Sequence, residues 1–264
     1  GLAVDALDGL DDGPAVGVGH VHEHAVHVQH DSVGFHGRAL TADRQGSAGF
    51  IPRGHERGAV KYDELQRVYG REEYYWGTEP NELAEQVVAF APDRDRLRVI
   101  DVGAGEGRDA VFFAERGFDV LAVDVAPNGL AKAERLADER GVELETRRAD
   151  VNDLDLPTVD AVYSIGTLQY LRPENREERF EQFRAATAPG GVHVLFAFVD
   201  HPDIPPAPDW GEEEHFYSRG ELRSYYDDWE RLAEDALVFD DESGGEPHRH
   251  AAETLVARKP TERR

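Results

Sequence analysis

Three closely spaced glycines follow a carboxylate within residues 99–108, which read VIDVGAGEGR. An apolar run ends at Asp101, and glycines occupy positions 103, 105 and 107. Glycine suits a turn this tight because it adopts backbone conformations that a Cβ disfavours and lets main-chain N–H groups approach a ligand. A dinucleotide site favours the spacing G-x-G-x-x-G, with a pyrophosphate at the helix N-terminus. Here the spacing is G-x-G-x-G with Glu106 inside the turn. Two carboxylates at its mouth favour a cationic or polyhydroxylated ligand over a diphosphate.

Three further predicted strands end in residues that suit such a ligand. Asp124 lies 19 residues after Gly105, where a carboxylate can accept both hydrogen bonds of a ribose diol. Asp150 can accept a hydrogen bond from an adenine amino group, or can equally be a helix N-cap. Ser164 and Ile165 end the fourth strand, where the main chain can line an amino-acid moiety. Ligands of open α/β sheets bind beyond the carboxyl ends of the strands. We therefore expect one shared site, and S-adenosylmethionine (AdoMet), a sulfonium that carries an ammonium group, fits it.

The elements that would position these residues alternate along the chain. Apolar runs predict strands at 97–102, 118–123, 142–148, 160–164 and 192–198, and helical periodicity predicts helices at 62–69, 79–90, 108–116, 128–140, 175–186 and 220–229. Two late strands, at 231–239 and 250–258, flank a polar turn and predict an antiparallel hairpin. The predicted fold is α/β and Rossmann-like: a doubly wound, mostly parallel seven-stranded sheet with an antiparallel C-terminal hairpin.

The charge of the chain narrows the classes of partner. There are 54 acidic and 29 basic residues among 264, which gives a formal net charge of −25. Lysine occurs only at positions 61, 132 and 259, so arginine supplies nearly all the positive charge. Salt screens the self-repulsion of such a surface, and the composition resembles that of proteins from halophilic archaea. The negative charge argues against nucleic acid as a partner.

Residue content also excludes cysteine chemistry and favours a soluble protein of the cytoplasm. Cysteine is absent, which excludes disulfides, thiolate metal sites and cysteine nucleophiles. No apolar run reaches 18 residues, and the N-terminus lacks the layout of a secretory signal. We therefore expect a soluble cytoplasmic protein without a membrane partner. The sequence does not indicate an oligomeric state.

Residues 1–59 differ in composition from the rest of the chain. They are rich in Gly, Ala, Val and His, without a helical period, and contain histidines at positions 20, 22, 24, 27, 30 and 36. Such a tract can bind metal. We favour the interpretation that it is a low-complexity extension, disordered or produced by a mis-assigned start, and we nominate no metal ligand.

Residues 98–198 resemble the class I AdoMet-dependent methyltransferases. Their first motif appears here as Asp101-Val-Gly-Ala-Gly-Glu-Gly107, the second ends at Asp124, the third ends at Asp150, and a Pro-Gly-Gly sequence at 189–191 precedes the fifth strand. Within that family, residues 107–110, 117–124, 220–230 and 253–259 resemble the tellurite-resistance methyltransferases and the group near thiopurine methyltransferase. The resemblance implies a methyltransferase domain over residues 60–260.

The resemblance implies transfer of a methyl group to a small soft nucleophile, which is either a metalloid oxyanion such as tellurite or selenite, or a thiol. The residues that we predict to bind AdoMet are Asp101, Gly103, Ala104, Gly105, Arg108, Asp124, Val125, Asp150, Val151, Ser164 and Ile165. For Arg108, a contact with the AdoMet carboxylate and an ion pair with a local acid both remain open.

The acceptor side is predicted from residues outside the core strands. Tyr170, with Gln169, follows the fourth strand, and His248 and Arg249 lie at the start of the last strand. Tyr170, His248 and Arg249 are our candidate catalytic residues, because a cationic His-Arg pair there would attract an oxyanion. For His250 we favour a solvated hairpin end. The aromatic stretch 74–77 is either a lid or packing for the first core helix.

Other functions remain open at this level. The chain could be an AdoMet-dependent methyltransferase for an unrelated small metabolite, or an AdoMet-binding protein without turnover. A nicotinamide-dependent oxidoreductase is disfavoured by the glycine spacing and by Asp150.

Overall fold

The computed structural model describes residues 57–208, 210–241 and 246–261. Their helices are α1 (Arg57–Tyr69), α2 (Ala84–Phe90), α3 (Arg108–Glu115), α4 (Pro127–Arg140), α5 (Arg176–Ala186) and α6 (Glu221–Ser224). Their strands are β1 (Arg98–Val102), β2 (Asp119–Asp124), β3 (Glu145–Arg148), β4 (Val159–Ser164), β5 (Thr187–Phe198), β6 (Glu230–Asp241) and β7 (His248–Arg258). Residues 1–56 of the predicted extension lie outside the described residues. Helix α1 begins at Arg57, three residues before the predicted start of the methyltransferase domain at 60.

The strands form one seven-stranded sheet in the order β3-β2-β1-β4-β5-β7-β6. The five strands from β3 to β5 pair in parallel, and β7 pairs antiparallel with both β5 and β6. The predicted fold class is therefore confirmed. The central strands β1, β4 and β5 are buried almost throughout, as expected where helices cover both faces of a parallel sheet.

Several predicted boundaries differ from the structure. The helix predicted over 79–90 begins only at Ala84, and the strand predicted over 142–148 begins only at Glu145. The predicted helix over 220–229 is helical only at Glu221–Ser224, since the residues after it turn to bury Tyr226 and Trp229 beside His193 on β5. The Pro-Gly-Gly sequence at 189–191 was expected to precede the fifth strand. It lies inside β5 instead. The pairing of β4 and β5 is irregular there, and a Cβ on Gly191 would lie 2.6 Å from the Asp160 carbonyl oxygen.

The helices within these ranges are either too short or too polar to cross a bilayer.

Candidate active site

The turn after β1 is built from glycines in the left-handed region. Gly103 has φ +85°, and a Cβ there would lie 1.6 Å from the Thr167 hydroxyl oxygen. The amides of Gly103 and Ala104 both donate to the Val123 carbonyl of β2, at 2.7 and 2.9 Å. The amide of Gly105 donates to Asp124 Oδ2 at 2.8 Å. The glycine turn, defined as residues 103–107, is thus held by β2 on one side and by the segment after β4 on the other.

Asp124 ends β2 beside this turn. Its Oδ2 accepts from Gly105, and its Oδ1 accepts from the amide of Ala126 at 2.8 Å. Burial raises the pKa of Asp124 above its usual range, and these backbone donors oppose the rise. An ionised carboxylate has about four lone-pair sites, and the backbone donors Gly105, Ala126 and Val125 leave it capacity for a further donor. The side chain can therefore accept from a ligand hydroxyl without releasing the turn.

Asp101 and Asp109 form a buried acidic pair next to the turn. Asp101, at the end of β1, is 3% exposed, and burial followed by the charges of Asp109 and Asp124 raises its pKa well above the ordinary value. Asp109, in α3, accepts from the Asn81 amide at 2.6 Å and from the Tyr163 hydroxyl at 3.1 Å, and burial raises its pKa as well. The predicted ligand acids Asp101 and Asp124 thus lie close enough to influence each other.

Glu106 does not contribute charge to the mouth of the turn, contrary to our expectation. It is 2% exposed, and its Oε1 lies 2.6 Å from Lys132 Nζ of α4. Its Oε2 accepts from the Trp76 amide at 3.2 Å. The buried ammonium neutralises the carboxylate, so Glu106 ties the turn to α4 and to the segment before α2.

Arg108 pairs locally in this structure. Its Nη1 donates to the Trp76 carbonyl at 3.2 Å, and its Nε lies 3.6 Å from Asp109 Oδ2. The interpretation as a partner of a local acid is therefore the one that the contacts favour. A role toward AdoMet stays a prediction.

The aromatic stretch before α2 makes packing contacts, and its role as a lid stays a prediction. The Tyr74 hydroxyl donates to the Lys132 carbonyl of α4 at 3.3 Å, which is packing. Trp76 instead lies against the glycine turn, and its indole Nε1 donates to the Tyr69 hydroxyl at 3.2 Å. Tyr69 ends α1 with its ring beside Gly105, and burial raises its pKa far above the ordinary value. No sequence pattern indicates that Tyr69 belongs to this site, because only the packing of α1 puts it there.

The loop after β3 holds the remaining predicted adenosine contacts. Asp150 is exposed, and its Oδ1 accepts from the amide and the side-chain Nδ2 of Asn152, at 2.8 and 2.9 Å. It therefore caps a turn rather than a helix, with Oδ2 on the exposed side chain. Val151 is buried in the main core, and the Val125 carbonyl accepts from Arg148 Nε at 3.2 Å. The roles of Asp150, Val125 and Val151 toward AdoMet stay predictions.

The end of β4 closes the other side of the turn. The buried Ser164 hydroxyl donates to the Val102 carbonyl of β1 at 3.0 Å, and Ile165 packs between two hydrophobic clusters. Gln169 Nε2 donates to the Gly166 carbonyl at 2.8 Å, which fixes the orientation of the amide. Its Oε1 is buried and has no hydrogen-bond partner among the described residues. An unpaired buried acceptor costs free energy, and a ligand that donates a hydrogen bond to it would remove that cost.

The candidate acceptor residues are arranged differently from the expectation. Tyr170 lies on a short 3-10 turn with its hydroxyl 3.5 Å from Glu214 Oε1. His248 and Arg249 do not form one cationic pair, because successive side chains of a strand point to opposite faces. Arg249 is exposed and opposite Asp240, whereas His248 faces Asp241. The expectation of a solvated His250 is wrong: this side chain is 4% exposed.

Comparison with known proteins agrees with this geometry. Residues 99–191 match the family model described as a methyltransferase domain. The chain is 29% identical over 182 residues to hemagglutinin 1 of Eikenella corrodens, covering 67% of this chain and 58% of that protein. It is 25% identical over 188 residues to a probable S-adenosyl-L-methionine-dependent methyltransferase, TehB, of Haemophilus influenzae, covering 69% of this chain and 64% of that protein. It is 31% identical over 153 residues to the tRNA 5-carboxymethoxyuridine methyltransferase of Escherichia coli, covering 53% and 57%.

The fold has a matching solved structure. TehB from Haemophilus influenzae superposes with a TM-score of 0.59 at 22% identity, over 75% of this chain and 67% of that one. The chain spans 57 to 64% of the length of the three relatives named above. The family match spans the glycine turn and the ends of β2, β3 and β4. Together with the TehB matches, it confirms the resemblance to the class I AdoMet-dependent methyltransferases, TehB among them, that the sequence predicted.

Proposed function

We propose that this protein is an AdoMet-dependent methyltransferase that acts on a small acceptor with a soft nucleophilic atom. The observation that carries the proposal is the glycine turn, where Gly103 leaves no room for a Cβ and the Gly105 amide is fixed on Asp124. This turn places main chain, not side chains, beside a carboxylate at the carboxyl edge of β1 and β2. The family match over residues 99–191 and the name of the TehB relative support AdoMet as the ligand.

The residues at this edge suit the groups of AdoMet. Asp124 retains acceptor capacity for a ribose hydroxyl, and the exposed Asp150 can accept from the adenine amino group. The unpaired Gln169 Oε1 and the carboxylate of Asp101 are acceptors that suit an ammonium group. When bound, AdoMet supplies an electrophilic methyl group on a positively charged sulfur.

The protein contributes mainly alignment and desolvation. An acceptor that arrives as an anion needs no general base, and the methyl–sulfur bond breaks as the bond to the nucleophile forms. Fixing two reactants in line can remove up to about 7–11 kcal/mol of a barrier in favourable cases. We assign Tyr170, His248 and Arg249 to the acceptor side. His248 and Arg249 would act separately rather than as a pair, because they point to opposite faces of β7.

A small acceptor is favoured over nucleic acid. One relative acts on tRNA by its name, but the net charge of −25 would repel a polyanion. We propose a metalloid oxyanion such as tellurite or selenite, or a thiol, following the resemblance to the tellurite-resistance methyltransferases. A panel of these acceptors, assayed for S-adenosylhomocysteine at molar potassium chloride, tests this. Release with tRNA but with none of the small acceptors would contradict it.

Calorimetric titration with AdoMet tests the cofactor and the Asp124 assignment together. Asp124→Asn should weaken AdoMet binding by about 1.5–3 kcal/mol, the range for a hydrogen bond to a charged group. Asp119→Asn is the matched control, because Asp119 is exposed at the opposite end of the same strand. Equal affinities in the two variants would remove the ribose assignment. Binding of NAD in preference to AdoMet would overturn the proposed function, and AdoMet binding without turnover on any acceptor would favour a sensor.

We further propose that the chain is adapted to a high-salt cytoplasm. The excess of acidic residues repels itself at low ionic strength, and the Debye length shrinks to ~3 Å at 1 M salt. The melting temperature should therefore rise as the potassium chloride concentration increases from about 0.1 M to about 2 M. A flat or falling melting temperature would contradict the adaptation.

A further inference from the structure

Three side chains at the turn end of the β6–β7 hairpin, where β6 leads into β7, bring metal-binding atoms together. Asp241 is the last residue of β6, and its Cα partner across the ladder is His248, the first residue of β7. His250 follows two residues later on the same strand. Because side chains at i and i+2 of a strand point to the same face, and cross-strand partners share a face, all three lie on one face.

The donor atoms form a nearly regular triangle. His248 Nε2 and His250 Nε2 are 3.0 Å apart, and Asp241 Oδ2 lies 3.7 Å from the first and 3.4 Å from the second. A tetrahedral Zn²⁺ with the usual ligand bond lengths would separate its ligand atoms by roughly 3.3 Å. The three distances bracket this separation, so a metal ion fits with only small side-chain adjustments.

The His248 ring is oriented as a metal ligand would be. Its Nδ1 lies 2.7 Å from the Glu246 carbonyl oxygen. A carbonyl can only accept a hydrogen bond, so Nδ1 carries the proton and donates. In the neutral ring Nε2 then has its lone pair directed at the triangle. Metal-binding histidines are commonly held in this way by a carbonyl on the second nitrogen.

The cluster is shielded from water by aromatic rings. The side chains of Asp241, His248 and His250 are 6, 8 and 4% exposed. The His250 ring centre lies 4.8 Å from that of Phe198 and 5.5 Å from that of Phe239. Two imidazoles and a carboxylate are a donor set that suits Zn²⁺ and similar ions.

We propose that Asp241, His248 and His250 bind one divalent transition-metal ion of the Zn²⁺ type, and that these three side chains are its ligands among the described residues. The site lies just past the carboxyl end of β5, where the Val199 amide donates to the Ala251 carbonyl at 2.9 Å. It stands on its own geometry and does not depend on the proposed methyl transfer.

Metal titration of the full-length chain tests the proposal. The six histidines at positions 20 to 36 are replaced by glutamine in every sample, so that this segment adds no background. After metal removal, Zn²⁺ is titrated by calorimetry, and Co²⁺ by the visible absorption that reports four-coordinate geometry. We expect one equivalent to bind. Asp241→Asn and His250→Gln should each weaken binding by more than about 100-fold, since loss of even an outer hydrogen-bond partner costs 10–100-fold.

His201→Gln is the matched control, because His201 lies in the described part of the chain outside the cluster and should bind metal normally. Circular dichroism without metal shows whether each variant is folded, and Asp241→Asn serves if His250→Gln is not. The proposal is overturned if the chain with an intact cluster binds no equivalent of metal, which leaves a hydrogen-bonded Asp-His-His network. It is also overturned if the cluster variants bind as tightly as the control.

Discussion

The glycine turn and the turn end of the β6–β7 hairpin are two sites made in different ways. The turn is made of main chain, with Gly105 fixed on Asp124 and Gly103 pressed against Thr167. The hairpin end is made of side chains that form no recognisable sequence motif. They meet only through the register of the two strands. The first kind of site is visible as a motif because its residues are consecutive. The second kind depends on which residues face one another across two strands.

The largest effect that we expect concerns the ion pair that anchors the turn. Lys132→Met should reduce the free energy of unfolding by about 3–5 kcal/mol, because it leaves Glu106 as an uncompensated buried charge. Denaturant unfolding measures this. The double variant Lys132→Met/Glu106→Gln should recover much of the loss. Arg140→Met, which removes an exposed pair with Glu115, should cost under about 1 kcal/mol. If the buried and exposed pairs lose equally, the turn does not depend on this anchor.

The second prediction separates close packing from backbone conformation in the turn. Gly103 and Gly117 have nearly the same φ, +85° and +86°, but only Gly103 has neighbours that a Cβ would strike. Both alanine variants should lose about 1–2 kcal/mol for the left-handed conformation. Gly103→Ala should lose about 1–3 kcal/mol more from overpacking. Equal losses on denaturant unfolding would show that Thr167 yields easily and that the turn is less rigid than its contacts indicate.

A third prediction uses pH to measure the free-energy cost of ionising the buried carboxyl of Asp101. The folded-state pKa of Asp101 is raised well above its ordinary value. The folded protein therefore holds this proton more tightly than the unfolded chain does. Its contribution to stability is complete below the unfolded pKa and is lost as pH rises through the folded pKa. Asp101→Asn should remove that loss and become more stable than wild type as pH increases. Parallel stability curves for the two proteins between roughly pH 4 and 8 would contradict it.

The smallest effect tests the alternation of faces at the hairpin. Arg249→Gln should change the free energy of unfolding by no more than about 0.5 kcal/mol, because the side chain is exposed. The same variant should leave the Zn²⁺ affinity of the neighbouring cluster unchanged, since Arg249 points to the opposite face. A large change in that affinity would mean that the register brings Arg249 to the cluster.

The sequence was sufficient for most of the architecture. Apolar runs alternating with helical periodicity predicted the strands, most clearly β1, β4 and the second half of β5, because a strand buried on both faces must be apolar throughout. The motif from Asp101 to Gly107 predicted the turn, because a tight approach of main chain excludes side chains locally. The ends of β1, β2 and β4 then had to meet at one edge of a parallel sheet.

Only the tertiary structure decided how the charges are partnered. Glu106 was expected at the mouth of the turn, but Lys132, 26 residues away, neutralises it. Tyr69 joined the site because α1 packs over the glycine turn, and no spacing in the sequence signals that. His248 and His250 became buried partners of Asp241 because of the hairpin register. Local conformation follows from neighbouring residues and could be predicted, whereas the partner of a buried charge depends on long-range packing, which a single sequence does not record.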